Sequence, residues 1–407
     1  MDITDKLNMT MLCDFYELTM GNGYLEAGLK DRITYFDIFF RDVPDHGGYA
    51  ICAGLERIIA YIQDLHFSEE DIEYLRSKDL FSERFLDYLR DFKFTGDVWA
   101  IPEGTPIFPR EPIITVRAPA IQAQLVETFL LLIFNHQSLV ATKTNRIVRA
   151  AEGRVILEFG SRRAQGTDAA ISGARAAYIG GCAGTACTIS DQLFGVPAGG
   201  TMAHSWVQMF DSEYEAFKTK KTRKMLDEAG WESCKISASN SLDEYIIQDI
   251  LRQGAKVDLF GVGERMITSK SDPVFGGVYK LAAIEKEDGT IVPKIKISEN
   301  VGKITNPHFK KVYRIFDKAT GKAEADYITV WDEVIEEGQP LELFDPDATW
   351  KRRTYTDYTI KPLQEKIFDH GELVYQQPTL SEIQKYCREQ IDTLWDEVKR
   401  FENPHNY

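Results

Sequence analysis

From Arg154 onward the chain alternates between short apolar runs and helix-forming stretches, and this alternation limits the fold more than any other feature. Val155-Ile-Leu-Glu-Phe159 is almost unbroken apolar sequence, the pattern of a strand buried on both faces in a parallel sheet covered by helices. A polar turn and an Ala-rich helix, Asp168 to Ile179, come next. A Gly/Cys/Thr segment (Gly181 to Thr188), a helix, and the apolar run Leu193 to Pro197 lead to a strand ending in the loop Gly199 to Ser205. Cys234 to Ser239 reads as a strand, Leu242 to Gln253 as a helix and Val257 to Phe260 as a strand. Repeated strand–helix units of this kind build a parallel α/β core. The alternation fails once: Ser212 to Thr219 and Lys220 to Gly230 are both helical in pattern, which leaves the sheet a strand short or more.

The flanks read differently. Residues 7–27 have Leu7, Met11, Phe15, Leu18 and Tyr24 at helical spacing, and Thr34 to Phe40 alternates like a strand. Residues 53–92 are helical, interrupted at Ser68-Glu-Glu-Asp71, which has the form of an N-terminal cap. Short strands between Val98 and Val116 and a helix from about Gln122 to Glu152 complete the N-terminal part. Residues 276–335 resemble antiparallel strands, and residues 380–402 an amphipathic helix. The expected boundaries are therefore 1–152, 153–275 and 276–407, with the first and last segments completing one domain around the βα core.

At 407 residues, two domains are the natural division. The net charge of −15 argues against a duplex nucleic-acid partner. An acidic protein can still hold a phosphorylated small molecule through local Arg, Lys and backbone N–H groups. Six scattered cysteines fit reduced, mostly buried thiols, and Cys182 with Cys187 lacks the histidines of a metal site. The N-terminus lacks the features of a signal peptide, and the apolar run Thr128 to Phe134 is too short to span a bilayer, so a cytoplasmic protein without membrane contact is expected.

Four segments carry chemistry, each at an expected strand end, where open parallel sheets and barrels place their ligands. Glu158-Phe-Gly-Ser-Arg-Arg163 offers two adjacent guanidiniums suited to phosphate or carboxylate and an aromatic ring able to stack on a flat ligand. The alternative is an Arg paired with Glu158 or with a helix C-terminus, and a core Phe159. Ser237-Ala-Ser-Asn240, before Leu242-Asp-Glu244, suits either a helix cap or a phosphate at a helix N-terminus. Phe260-Gly-Val-Gly263 allows close backbone approach to a ligand. Thr201-Met-Ala-His-Ser205 sets an imidazole beside hydroxyls after Gly199 and Gly200; it suits acid–base work, phosphorylation on nitrogen, or a purely structural histidine.

Taken together and in order, these segments resemble the nicotinate phosphoribosyltransferase family. The likeness also runs through Asp14-Phe-Tyr-Glu-Leu-Thr-Met20, Phe39-Phe-Arg41 and Gly47 to Glu56, and covers nearly the whole chain. It implies an irregular TIM-like α/β barrel plus a second α/β domain of open-sandwich type built from the N- and C-terminal segments. It implies synthesis of nicotinate mononucleotide and diphosphate from nicotinate and phosphoribosyl diphosphate, with Mg2+ on the diphosphate and ATP as co-substrate. It implies a homodimer with shared active sites. Carried over by motif, His204 is the phosphorylated histidine. Thr201, Phe159 and the partner subunit's Tyr16 line the nicotinate pocket. Arg162, Ser205, Ser239, Asn240, Gly261 and Gly263 belong to the phosphoribosyl site. Where nicotinamide-using relatives place an acid against the amide, Gly184-Thr-Ala186 presents Ala186, which favours the acid substrate.

Two departures stand against the resemblance. The family's Asp-Thr-Tyr-Asp and Arg-x-Asp-Ser-Gly-Asp motifs are absent, and their place falls at the helix–helix junction near Thr219. The second motif supplies an Arg for the substrate carboxylate. Glu264 follows Gly-Val-Gly where many relatives carry a small hydroxyl residue. The alternatives are a phosphoribosyltransferase for another pyridine without ATP coupling and, because of the missing motifs, a non-catalytic relative.

Overall fold

The computed structural model describes residues 8–200, 205, 208–209, 235–297, 299, 304–345, 348–405 and 407. The chain divides into two units, one of Met1–Asn135, Phe275–Pro378 and Glu389–Tyr407, the other of His136–Val274 and Thr379–Arg388.

The first unit carries most of the sheet pairing, all of it antiparallel. Its main sheet has seven strands in the order Ile291–Pro293, Val278–Glu285, Ile33–Phe39, Ile114–Pro119, Asp97–Ala100, Glu365–Asp369, Glu372–Leu373. The alternating segment near Thr34 is thus central, and six of its seven residues are buried. Tyr35, Trp99, Ala283 and Phe309 form a core cluster on this sheet. A second, three-stranded sheet pairs Lys310–Asp317 with Ala323–Val330 and Tyr358–Pro362. Within it, Arg314 and Asp326 face each other on neighbouring strands, Arg314 fully buried and paired with Asp326 at 2.6 Å.

Capping explains where the helical stretch 53–92 breaks. Ser68 and Asp71 form a reciprocal capping box that starts Glu69–Arg76. A second break comes at Ser82, whose hydroxyl accepts from the Phe85 N–H and starts Glu83–Arg90. The helix expected over 7–27 begins only at Phe15 and ends at Glu26, and the C-terminal helix stops at Thr393. The long helix is two, Ala120–Leu125 and Glu127–Ala150. By length and composition the span Ala120–Ala150 could cross a membrane, but 72% of its most apolar window is buried inside the protein, the behaviour of a core helix.

The second unit holds the parallel core. Four strands run in the order Gly184–Thr185, Val155–Glu158, Leu259–Val262, Ser237–Ser239, every pair parallel. Ala198 extends the sheet through a parallel bridge to Thr185. The helices Thr167–Ile179 and Glu244–Arg252 follow their strands as the alternation requires. Among the described residues these strands form an open sheet; the helix–helix junction, where the expected barrel would continue, lies in 210–234, outside those residues. One expectation needs correction. The apolar run Leu193 to Pro197 is no strand. Leu193 and Phe194 end the helix Thr188–Phe194, and Gly195, at φ 71°, caps it in the left-handed conformation.

Glu17 ties Phe15–Glu26 to the long helix. One carboxylate oxygen accepts from the Thr128 hydroxyl at 2.6 Å and its N–H at 3.2 Å, while the other is buried without a partner among the described residues. Burial pushes the carboxyl up to about 7, and nearby Glu127 adds to the shift against the Thr128 hydrogen bonds. A carboxyl raised on folding holds its proton where the unfolded chain has lost it. Its stabilising contribution is therefore complete below the ordinary carboxylate range and is lost as pH rises through about 7. Glu17→Gln, which cannot titrate, should gain stability relative to the parent protein between about pH 5 and about pH 7 in urea unfolding. Parallel pH dependences for the two proteins would refute this assignment.

Candidate functional site

Because all four strands of the second unit run the same way, their C-terminal ends open onto one edge. The segments at that edge are Phe159–Arg163, Ala186, Gly199–Gly200, Ser239–Asn240 and Gly263.

The central strand ends in Glu158, whose side chain is fully buried. One oxygen accepts from the Thr185 hydroxyl at 2.6 Å and the other from the Gly160 N–H. Burial pushes this carboxyl above its ordinary range, and the hydrogen bonds from Thr185 and Gly160 hold it back. The expected alternative, an Arg paired with Glu158, does not occur. Arg162 and Arg163 are exposed in a short 3-10 turn, Ser161–Arg163; Arg162 has no carboxylate partner among the described residues, while Arg163 adds to Lys270 in lowering the Glu264 carboxyl. The Ser161 hydroxyl is turned inward and buried without a partner among those residues.

Phe159 is half-buried, and its N–H donates to the Val262 carbonyl at 2.7 Å. A methyl group on Gly261 would lie 2.4 Å from the Phe159 ring, and one on Gly263 would lie 2.9 Å from the Phe159 carbonyl oxygen. Both glycines of Gly-Val-Gly are thus required by the approach of Phe159, a packing reason independent of any ligand. Glu264, beyond them, pairs with Lys270 at 2.6 Å at the surface.

Asp243, rather than any serine, caps the helix Glu244–Arg252 by accepting from the Ile246 N–H at 2.9 Å. Asp243 also pairs with Arg265. Ser239 and Asn240 are therefore not spent on capping and stand exposed at the edge. Asn240 at φ 101° and Ser241 at φ 52° bend the chain there, a conformation uncommon outside glycine and frequent at functional sites. Ala186 is exposed, directly after Thr185.

His204 and Thr201 lie outside the described residues. The Gly199 N–H donates to the Thr185 carbonyl at 2.8 Å, so the chain leaves for them from this same edge. Ser205 is described and exposed. Tyr16 belongs to the first unit, exposed beside Glu127, and burial together with a hydrogen bond to Glu127 raises its phenol. The residue whose place sequence reasoning missed is Thr185, with Glu158 as its partner. The available signal was one carboxylate inside an otherwise apolar run, which must find partners when buried.

Family models describe two parts of the chain: residues 11–135 match the nicotinate phosphoribosyltransferase N-terminal domain and residues 309–407 its C-terminal domain. A nicotinate phosphoribosyltransferase of Bacillus subtilis is 38% identical over 98% of this chain and 92% of its own length. One from Mycobacterium tuberculosis is 34% identical over 97% and 89%. The Bacillus alignment runs over 452 positions while covering 98% of a 407-residue chain, so about 50 positions face no residue here. Among solved structures, human nicotinic acid phosphoribosyltransferase superposes with a TM-score of 0.84 at 23% identity, over 97% of this chain and 96% of that one. A nicotinate-nucleotide pyrophosphorylase of Pyrococcus furiosus follows at 0.71 and 21%, over 97% of each chain.

Gly261→Ala should drive the Phe159 ring off the strand face while leaving the sheet register intact, because the clash meets only a side chain. A crystal structure of the variant with the ring in its present place would refute this reading.

Proposed function

The chain belongs to the nicotinate phosphoribosyltransferase family, and on that footing we propose its reaction. It joins nicotinate to phosphoribosyl diphosphate, giving nicotinate mononucleotide and diphosphate, with ATP hydrolysis coupled through a phosphohistidine at His204. The observation that carries this reading is the shared edge of the parallel strands. It gathers Phe159, Arg162, Ala186, Ser239 and Asn240 from three separate stretches of sequence. The irregular barrel completed around this sheet is the frame we propose for the site.

Loss of diphosphate leaves an oxocarbenium-like ribose, so the protein must orient the pyridine nitrogen and stabilise the departing charge. Phe159 stacks on the pyridine ring, with Thr201 beside it and Tyr16 from a second subunit closing the other face. Exposed apolar residues Leu12, Phe15, Tyr16 and Met20 around the start of one helix support that subunit contact. Arg162, with no carboxylate partner among the described residues, is suited to phosphate. Ser205, Ser239, Asn240 and the backbone at Gly261 and Gly263 complete the phosphoribosyl site. At this edge Glu158, Asp243 and Glu264 are already hydrogen-bonded or paired. Mg2+ therefore fits best on the diphosphate oxygens it arrives with, where it would neutralise the leaving charge. The missing Arg-x-Asp-Ser-Gly-Asp motif favours one competing reading, a relative that binds these substrates without turning them over. Incubation with nicotinate, phosphoribosyl diphosphate, Mg2+ and ATP decides between them: nucleotide with matching ADP supports catalysis, nucleotide without ADP excludes coupling, and no nucleotide supports the non-catalytic reading.

His204→Ala should abolish nicotinate-dependent ATP hydrolysis and the acid-labile, base-stable phosphate label of a phosphohistidine, while slow ATP-independent synthesis persists. Undiminished labelling of the variant would remove His204 from this role.

Nicotinate should be preferred over nicotinamide by about tenfold to several-hundredfold, because donors built for a carboxylate are left unpaired by an amide. Ala186→Asp should erode that preference by setting an acceptor against the amide and a like charge against the acid. Equal kcat/KM for the two substrates in the parent enzyme would refute this account of the pocket.

A further inference from the structure

The carboxylate at the end of the central strand binds two loops together. Glu158 takes the Gly160 N–H on one oxygen and the Thr185 hydroxyl on the other, and its carbonyl accepts from the Ala186 N–H at 2.8 Å. The Thr185 hydroxyl accepts in turn from the Cys187 N–H at 3.0 Å. Gly160 is pressed against this group: a methyl group there would sit 2.6 Å from Ile267 and 2.8 Å from the Glu158 carboxylate. Phe159 and Ala186 are the residues next to the two ends of this link. We propose that Glu158, acting through Thr185, is a positioning residue that fixes the separation between the Phe159 and Ala186 walls of the nicotinate pocket. The inference rests on the functional reading above.

The chemistry of the link is specific. A carboxylate only accepts, so it can satisfy both loops at once. A glutamine in its place has one acceptor; with that on the Gly160 N–H, its amide must donate to the Thr185 hydroxyl, whose own proton then loses its acceptor. A valine at 185 keeps the shape of threonine and removes the hydroxyl, leaving the buried carboxylate and the Cys187 N–H without it. Thr185→Val changes none of the groups placed against the ribose or the diphosphate, so its effect falls on pyridine binding and on the choice between acid and amide; Glu158→Gln also disturbs the Gly160 N–H, two residues before Arg162.

Steady-state kinetics with nicotinate and with nicotinamide test the link in the full-length protein and in Glu158→Gln, Thr185→Val, Thr185→Ser and the Glu158→Gln/Thr185→Val pair. Each of the first two variants should raise KM for nicotinate about tenfold or more and reduce acid-over-amide selectivity. In Thr185→Val kcat should stay within about threefold of the parent's, and KM for phosphoribosyl diphosphate should hold. The double variant should be no worse than the poorer single one, since both remove the same bond. Thr185→Ser, which keeps the hydroxyl, should retain the parental KM. If Glu158→Gln does not fold, Thr185→Val and Thr185→Ser decide. Parental KM and selectivity in Thr185→Val would overturn the inference. So would a loss that raises both substrates' KM together and tracks thermal stability. A parent protein that makes no nucleotide at all would instead overturn the functional reading, and this inference with it.

Discussion

A carboxylate withdrawn from water at the end of a parallel strand must be satisfied inside the protein, and the edge of the second unit is arranged around that requirement. Glu158 is bonded to Gly160, in the loop after its own strand, and to Thr185, the last residue of the neighbouring strand. Each strand end is then packed by a small residue: Gly160 beneath the first, Gly184 beneath the second, where a methyl group would lie 2.4 Å from the Pro197 carbonyl. The ring of Phe159 covers Gly261 on the third strand. Three adjacent strand ends are thereby held in one geometry by a single buried group and its neighbours. Removing one partner of such a group costs far more than the bond it makes, because the remainder is left buried and unsatisfied.

The same edge resolves the apparent conflict between an acidic chain and anionic ligands. The carboxylates near it are engaged: Glu158 with Thr185 and Gly160, Asp243 with Arg265 and the helix start, Glu264 with Lys270. Arg162 and Arg163 face solvent, and Arg162 has no carboxylate partner among the described residues. Net charge of −15 describes the whole surface, whereas a phosphate responds to charges within a screening length of about 10 Å. Local positive charge is sufficient there. The first unit keeps its buried charges for structure, as in the Arg314–Asp326 pair.

Local sequence determined which segments would be strands and helices in the parallel core, because doubly buried strands are apolar and helices are marked by periodicity and caps. The capping box at Ser68 was legible for that reason, and so were the chemistry-bearing strand ends, since each joins an apolar run to a polar or glycine turn. Ser82 was harder, because one serine before a helix looks like any other until its hydroxyl is seen to accept from Phe85. The run Leu193 to Pro197 misled because short apolar stretches suit a helix end and a strand equally. Only the left-handed Gly195 settles it.

What the sequence alone could not supply is which side chains meet across the sheet. Strand order places Val155–Glu158 between Gly184–Thr185 and Leu259–Val262, though these lie far apart in the chain. That order turns Glu158 toward Thr185 instead of Arg162, and makes Gly261 and Gly263 the floor under Phe159. It also gives the cap of Glu244–Arg252 to Asp243, which leaves Ser239 and Asn240 exposed at the edge. The sequence by itself determined the residue types, their periodicity and the family they belong to, all of which are local or additive along the chain. The tertiary structure decided the pairings, because hydrogen bonds between strand ends depend on register and neighbour order, which no single segment encodes.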